Sequence, residues 1–140
     1  MIVQVDSTQR YTENGAKLCA ISVLLPQSYK KCMKRLAGEH SNNFAEVAAI
    51  LDALSMLVDS DHKLVIETDS QVAWGWIIKN WKIHETTLEK EKLGKMIERC
   101  RELLARNDKI TIRKIPRHKN MSDLSKVNTE DLWKLDEMDV

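Results

Sequence analysis

Four acidic residues occupy positions where a charged side chain is unfavourable unless it has a partner or a function. Asp6 lies in a strand pattern, Glu46 in the first turn of a predicted helix, Asp69 at the end of another strand pattern and Asp123 beyond the last one. Aspartate is disfavoured in strands, and a lone buried charge is costly without a partner or a chemical task. Four such groups brought together raise one another's pKa values unless cations bind.

Clustered carboxylate oxygens are the ligands that Mg²⁺ or Mn²⁺ prefers. Two such ions about 4 Å apart can activate water and stabilise the leaving oxygen of a phosphodiester. The four acids therefore predict a metal-dependent hydrolytic site, provided that the fold brings them together.

Each carboxylate also has a structural interpretation that the sequence leaves open. Glu46 lies three residues after Asn43, which is the capping-box spacing. Asp69 could cap the helix that follows it, and Asp123 could be an exposed residue in the first turn of a helix. Asp6 is the least easily explained in this way. The prediction of a metal site therefore rests on the joint arrangement and not on any one residue.

The first elements that must position these acids are strands. "MIVQVDST" alternates apolar and polar residues, "LCAISVLL" is strand-like up to Pro26, and "KCMKRLAG" is a weaker third strand. Asn14-Gly15 is a hairpin turn signal between the first two. These segments predict an antiparallel three-stranded meander that carries Asp6.

The rest of the chain alternates helices with strands. "SNNFAEVAAILDALSMLV" has apolar residues at helical spacing, with Asn42 or Asn43 as a natural N-cap. The remaining predicted elements are the strand "KLVIET", the helix "SQVAWGWIIKNW" with at least one of its tryptophans in the core, an amphipathic helix over 88–106, the strand "KITIRKIP", a short helix in "NMSDLSKV" and a tail, "NTEDLWKLDEM", that is a short helix or loose. The predicted order is β-β-β-α-β-α-α-β-α, a mixed α/β fold.

Composition and charge limit the functional classes. The 140 residues suit one domain, and three scattered cysteines without a CxxC motif predict neither a disulfide framework nor a zinc ribbon but a reducing, cytoplasmic setting. No apolar run approaches the length of a membrane span, so we expect no membrane association. Residues 127–140 carry a net charge of −4 and residues 1–126 a net charge of +5. A basic cluster over 109–126 could attract phosphate or be a solvated surface.

At the acidic positions the chain resembles type I ribonucleases H. The resemblance lies in "VDST" with Asp6, "NNFAE" with Glu46, "TDSQ" with Asp69 and "IPRHKNMSD" with Asp123, in that order over residues 1–126. It implies a ribonuclease H-like five-stranded mixed sheet in the order 3-2-1-4-5, flanked by helices. It also implies two-metal hydrolysis of the RNA strand of RNA–DNA hybrids, leaving a 3′-hydroxyl and a 5′-phosphate.

The resemblance assigns roles to individual residues. Asp6 would bridge two Mg²⁺ ions (or Mn²⁺ as a substitute), Glu46 and Asp69 would complete the site for one ion, and Asp123 would hold the other. His118 lies in the loop where relatives have a mobile histidine that aids product departure. The predicted nucleic-acid-binding residues are Asn43, Ser70, Gln71, Lys79, Trp81, Lys82 and Arg117. Core burial is the alternative for Trp81, and we expect His40, His62 and His84 at the surface.

The chain departs from the family pattern at several points. Ser7 follows Asp6 where many relatives have glycine, and Asn120 precedes Asp123 by three residues where relatives have four. The segment from Asp69 to Asp123 is too short for the extra basic helix of some relatives, which predicts the compact form. The tail 127–140 has no match in the pattern, and we expect it to pack on the body, shield the basic face or bind a partner.

The leading hypothesis is a monomeric, Mg²⁺-dependent endoribonuclease that acts on RNA–DNA hybrids. One alternative is a DNA-directed nuclease of the same fold, such as a junction resolvase. The other is a catalytically weak hybrid-binding module, whose metal site is incomplete because the loop before Asp123 is shifted.

Overall fold

In the computed structural model, which describes all 140 residues, a single six-stranded sheet is flanked by helices. The strands are β1 (Ile2–Tyr11), β2 (Lys17–Leu25), β3 (Lys30–Leu36), β4 (Leu64–Thr68), β5 (Ile110–Lys114) and β6 (Glu137–Met138). The helices are α1 (Asn42–Leu57), α2 (Gln71–Ile78), α3 (Lys90–Arg106) and α4 (Thr129–Trp133), with a 3₁₀ turn at Arg117–Lys119.

The sheet has the order β5-β4-β1-β2-β3-β6. β1, β2 and β3 form an antiparallel meander, while β4 runs parallel to β1 and β5 runs parallel to β4. The predicted mixed sheet with the order 3-2-1-4-5 is thus confirmed. The predicted count of five strands is one too low, because β6 in the tail adds a short parallel strand at the edge of β3.

The main core lies between the sheet and three helices. Val3 and Val5 on β1 are fully buried under α1, and α3 packs against α1. α1 is the crossover that brings β4 back parallel to β1. This connection places the end of β4, and hence Asp69, beside Asp6.

The C-terminal part of the chain covers the other face of the sheet. Leu124 and Leu132 are fully buried against Leu18 and Ala20 of β2. The tail therefore packs on the body, through α4 and through the pairing of β6 with β3. Its proposed division from the rest of the chain at residue 126 stays a prediction.

The predicted helix in "NMSDLSKV" is wrong. Residues 120–127 form turns instead, and Asn120, Ser122 and Leu124 point inward alternately, as in an extended chain. Local side-chain bonds favour these turns, because the Asn120 Oδ1 atom accepts from the Ser122 N–H and the Asp123 carboxylate accepts from the Ser125 N–H. Asp123 consequently does not begin a helix.

Two further expectations about burial are settled by the structure. Trp76 is buried, as predicted for at least one tryptophan of α2. His40 is buried rather than exposed, because its ring stacks on Phe44 and its two nitrogens face the Glu89 carboxylate and the Ala37 carbonyl. No helix combines the length and the apolar character that spanning a membrane requires.

Candidate metal centre and its cleft

Three of the four predicted acids meet at one end of the sheet. Asp6 on β1, Glu46 in α1 and Asp69 just after β4 each offer a carboxylate oxygen within 4.8 Å of the others. They come from positions far apart in the chain, and they meet because β4 pairs with β1 while α1 packs across β1. The structure thus brings together three of the four acids that the sequence pattern predicted to cluster.

The cluster forms the floor of a polar cleft of about 280 Å³. No apolar side chain lines it. The lining residues are Asp6, Ser7, Asn42, Glu46, Asp69, Ser70 and Arg117. A cleft of carboxylates, hydroxyls, an amide and one guanidinium suits a charged, hydrated ligand better than an apolar one.

The two most buried acids have strongly raised pKa values. Burial is the main cause of the rise in the pKa of Glu46 to about 8. The negative charges of Asp6 and Asp69 raise this pKa further, whereas hydrogen bonding by Ser7 lowers it. Burial likewise raises the pKa of Asp6 to about 6, although the Leu124 N–H donates to its Oδ2 atom at 3.0 Å and opposes the rise. In the absence of a cation, Asp6 and Glu46 therefore stay protonated at pH values at which a surface carboxylate is ionised.

α1 is started by Ser41 and not by Asn42 or Asn43. The Ser41 hydroxyl oxygen accepts from the Phe44 N–H at 3.1 Å. Both asparagines are therefore free of the capping task, and the capping-box interpretation of Glu46 is wrong because its carboxylate lies in the cleft. Asn43 is exposed, whereas Asn42 lines the cleft and accepts from the Ser7 hydroxyl at 3.1 Å.

Asn120 is a site residue that the sequence reasoning missed. Its buried amide nitrogen donates to the Val5 carbonyl at 2.8 Å and to Asp69 Oδ2 at 3.1 Å, so it ties the last loop to both β1 and the acid cluster. The sequence held one signal, an asparagine three residues before the last aspartate. Only the long-range contacts show what it does.

Asp123 lies apart from the three clustered acids. Its carboxylate accepts from the Ser125 N–H at 2.8 Å and from the Ser125 hydroxyl at 2.9 Å. The backbone bond from Ser125 lowers its pKa, and its charge still contributes slightly to the raised pKa of Asp6. Asp123 is therefore near the centre but turned towards its own loop, and its metal role stays a prediction.

The polar residues predicted to bind nucleic acid border the cleft. Ser70 lines it and caps α2, since its hydroxyl oxygen accepts from the Ala73 N–H at 3.1 Å. Gln71 is exposed as the first residue of α2. Arg117 lines the cleft from the 3₁₀ turn, and the neighbouring His118 is exposed.

A second group of predicted contact residues lies at the far end of α2. Trp81 is 43% exposed, so the alternative prediction that it is buried in the core is wrong. Lys79 and Lys82 beside it are exposed. The Trp81 ring meets Trp74 edge to face, with 6.3 Å between the ring centroids. Residues 79–89 between α2 and α3 contain no helix, as predicted for the compact form.

The residues of the cluster fit a divalent cation. The Glu46 Oε2 atom is buried and has no hydrogen-bond partner. Three hard oxygen donors, with raised pKa values at Asp6 and Glu46, and an orphaned buried oxygen are the expected features of a site that a divalent cation completes. Asp6, Glu46 and Asp69 are the residues that can hold it.

Comparisons with known structures support this fold. The chain is similar to RNase H1 from the halophilic archaeon Halobacterium salinarum NRC-1, at 22% identity over 86% of this chain and 89% of that one, with a TM-score of 0.61. It is similar to LC11-RNase H1, solved in complex with an RNA/DNA hybrid, at 19% identity over 86% and 88%, with a TM-score of 0.64. It is also similar to an N-terminal RNase H domain from Mycobacterium tuberculosis, solved as a fusion with maltose binding protein, at 17% identity over 85% of each chain, with a TM-score of 0.59.

These similarities define the fold class as RNase H-like. No curated protein sequence matches the chain. A family model described as RNase H matches residues 1–130, which is most of the chain. The protein therefore belongs to the RNase H family and has a type I domain, as its sequence motifs predicted.

Proposed function

We propose that this protein is a metal-dependent endoribonuclease that hydrolyses the RNA strand of RNA–DNA hybrids. The observation that carries the proposal is the convergence of Asp6, Glu46 and Asp69 within 4.8 Å in a polar cleft, on a chain of the RNase H family. The similar LC11-RNase H1, solved with an RNA/DNA hybrid, supports the choice of substrate.

Asp6, Glu46 and Asp69 would hold Mg²⁺ or, as a substitute, Mn²⁺. When bound, such ions activate water and stabilise the leaving oxygen of a phosphodiester. The products proposed for this reaction are a 3′-hydroxyl and a 5′-phosphate. Whether one ion or two take part depends on Asp123, which we propose as a ligand after its side chain turns away from Ser125.

The chain's own residues prepare the site for a charged ligand. The Leu124 N–H holds the Asp6 carboxylate, and the Asn120 amide holds Asp69 Oδ2, so two of the three acids are oriented by neutral donors. Glu46 keeps a proton in the absence of metal, since its pKa is about 8. Displacing that proton with a cation removes the cost of three close negative charges.

Recognition of the hybrid is assigned to residues around the cleft. Asn43 and Gln71 are exposed, and an amide both donates to and accepts from the 2′-hydroxyls that mark RNA. Asn42 joins this group because it lines the cleft. Arg117 is proposed to bind the phosphate nearest the carboxylates, and Ser70 to contact the backbone.

Two peripheral assignments extend the proposal. Trp81 offers a flat face to a sugar or base of the DNA strand, with Lys79 and Lys82 for its phosphates. His118 is proposed to help the product leave, because it is exposed directly beside the cleft residue Arg117.

The proposal is tested by cleavage of an end-labelled hybrid with Mg²⁺. We expect the intact protein to cut the RNA strand only when metal is present, and Asp69→Asn to lose nearly all activity. Asp61→Asn is the matched control, since Asp61 is exposed and remote from the cluster, and it should cleave like the parent. Cleavage of an all-DNA junction but not of the hybrid would favour a junction-directed nuclease instead.

One observation favours a second candidate function, that of a hybrid-binding module with little activity. The Asp123 carboxylate is held by Ser125 and lies outside the cluster, so the metal site could be incomplete. Tight hybrid binding without cleavage, together with the absence of Mn²⁺ binding in calorimetry, would support this candidate.

The setting of the protein is proposed from its thiols and its site. Cys19, Cys32 and Cys100 are all free thiols, which supports a reducing, cytoplasmic compartment. All residues of the acid cluster come from one chain, so a monomer holds the complete cleft.

A further inference from the structure

At the C-terminal end of α2, two backbone hydrogen bonds converge on Gly75. The Gly75 carbonyl accepts both the Lys79 N–H at 3.0 Å and the Trp81 N–H at 3.1 Å. Between these donors Asn80 adopts a left-handed conformation, with φ at 56°. A left-handed residue at a helix end, followed by a backbone hydrogen bond back to the last turn, reverses the direction of the chain. Here this reversal places Trp81 over the end of α2.

Gly75 leaves the space into which the Trp81 ring fits. A β-carbon built at Gly75 would lie 1.9 Å from Trp81 Cε3, 2.2 Å from Cζ3 and 2.4 Å from Cδ2. Atoms do not approach so closely, and the backbone of Trp81 is tied to the same glycine. Any larger residue at position 75 therefore forces the ring out of its place or pulls the loop off the helix.

The seated ring belongs to an exposed aromatic and cationic surface. Trp81 and Trp74 are perpendicular, and the Lys79 ammonium lies 5.3 Å from the Trp74 ring centroid. Edge-to-face and cation–π contacts of this kind fix the orientation of rings that would otherwise be mobile. A large aromatic ring that is held rigidly while 43% exposed is prepared for a ligand with a flat face.

We propose that Gly75 and Asn80 are positioning residues for nucleic-acid binding, which hold Trp81 in the orientation that stacks on the substrate. The inference rests on the proposed function, because it takes the hybrid as the ligand of Trp81. Neither residue touches the substrate. They act through the ring, by leaving its space and by turning the chain that carries it.

The test compares two glycine substitutions. Gly75→Ala should raise KM for the hybrid roughly 5- to 150-fold, the range expected for losing one stacked base, and should change kcat by less than about 2-fold. Gly94→Ala in α3 is the matched control, since its added β-carbon would meet only Ile83 Cδ1 at 3.8 Å. The control should leave KM unchanged.

A double variant separates positioning from general damage. In a Trp81→Ala background the space above residue 75 is empty, so adding Gly75→Ala should raise KM no further and should cost no additional thermal stability. Additive effects on KM would overturn the inference. This variant also keeps the test open if Gly75→Ala alone folds poorly.

Asn80 is tested through its backbone conformation. Asn80→Gly retains access to positive φ and should keep KM, whereas Asn80→Val disfavours it and should raise KM as Gly75→Ala does. Equal KM values for the two Asn80 variants would contradict the proposed role.

A spectroscopic readout reports the ring independently of catalysis. The four tryptophans give four indole N–H signals in a ¹H–¹⁵N spectrum, and Trp81→Phe and Trp74→Phe identify two of them. Gly75→Ala should shift the signals of Trp81 and Trp74, and Gly94→Ala should leave both in place. Unmoved signals in Gly75→Ala would overturn the inference.

Failure of the inference can be told from failure of the proposed function. If the parent cleaves hybrids but Gly75→Ala has the parental KM, the positioning role is wrong and the function stands. If the parent neither binds nor cleaves a hybrid, both are wrong. If it binds without cleaving, dissociation constants replace KM, and the same pattern among the variants supports the inference.

Discussion

At the scale of single residues, the site is defined by charges that the protein alone does not compensate. Glu46 is the clearest case, since its Oε2 atom is buried without a partner and its pKa is raised to about 8. A surface carboxylate at the same position in a helix would cost nothing. The residues that make the proposed chemistry possible therefore destabilise the metal-free fold.

Glu46→Gln should stabilise the metal-free protein at high pH. The folded state keeps the Glu46 proton between pH 4.5 and about 8, while the unfolded state releases it. The stability contributed by the protonated form is therefore complete below pH 4.5 and is lost as the pH rises through 8. We expect denaturant unfolding at pH 8 to show a gain on the order of 1 kcal/mol or more for the variant.

The same series with added Mn²⁺ provides the control. Mn²⁺ should stabilise the parent more at pH 8 than near pH 4.5, because cation and proton compete for Glu46, and it should stabilise Glu46→Gln much less. A parent that is equally stable at both pH values without metal, and indifferent to Mn²⁺, would contradict the assignment.

Sequence reasoning identified Asp6, Glu46 and Asp69 because an acid in or beside an apolar strand or helix stripe is visible locally. It did not identify Asn120, whose partners Val5 and Asp69 are distant in the chain. Of the two adjacent asparagines it gave the amide role to Asn43, whereas Asn42 lines the cleft. Which of two adjacent helical residues faces a cleft depends on the rotation of α1 against the sheet, and tertiary packing sets that rotation.

At the scale of secondary-structure elements, the start of α1 sets the position of Glu46. Ser41 satisfies the Phe44 N–H and so fixes where the helix begins, one turn before Glu46. The loop before it is anchored by buried His40, whose ring stacks on Phe44 and faces Glu89. A helix that began one residue later would leave Asn42 outside its first turn, where the helix no longer holds its side chain against the cleft.

Ser41→Ala should therefore weaken both stability and activity. Loss of the cap costs about 1 kcal/mol of unfolding free energy. It should also lower hybrid cleavage, because the first turn of α1, which carries Asn42 and leads to Glu46, is then less firmly held. Ser55→Ala is the matched control in the exposed part of the same helix, where the change should be neutral. Equal activity of the two variants would show that the cap does not position the site.

Elements with a strong period were predictable and irregular ones were not. The apolar repeat of α1 and α3 and the alternation in β1 gave the correct types. The cap was misassigned because Ser41, Asn42 and Asn43 are all good capping residues. The helix predicted in "NMSDLSKV" failed because Asn120, Ser122 and Asp123 bond to nearby backbone groups, and local polarity of this kind favours turns.

At the scale of the whole molecule, the chain after β5 closes the second face of the sheet. Leu132 of α4 is fully buried with Leu18, Ala20 and Leu124, and β6 extends the sheet beside β3. Leu124 lies next to Asp123, and its N–H donates to Asp6. The tail thus packs directly against the loop that reaches the acid cluster.

Leu132→Ala should destabilise the protein by about 2–5 kcal/mol in denaturant unfolding, since it leaves a cavity in this small cluster. Leu88→Ala is the control, because Leu88 is 72% exposed and its loss should cost less than about 0.5 kcal/mol. A Leu132→Ala variant as stable as the control would mean that the tail does not support the body.

The order of the sheet was predictable because the resemblance to type I ribonucleases H implies it, and the helical crossover before β4 agrees with a parallel neighbour. The sixth strand was not, since two residues in an acidic tail carry no strand pattern. They follow α4, which itself contacts β3, and they pair with that strand. The proposed metal role of Asp123 likewise depends on a loop conformation that the spacing to Asn120 does not determine.

The central claim is that Asp6, Glu46 and Asp69 meet in order to share a divalent cation. The most direct measurement is an anomalous difference map from crystals of the protein grown with Mn²⁺. We expect a Mn²⁺ peak between the three carboxylates, and the loss of that peak in Asp69→Asn. A map at saturating Mn²⁺ without a peak in the cleft would contradict it.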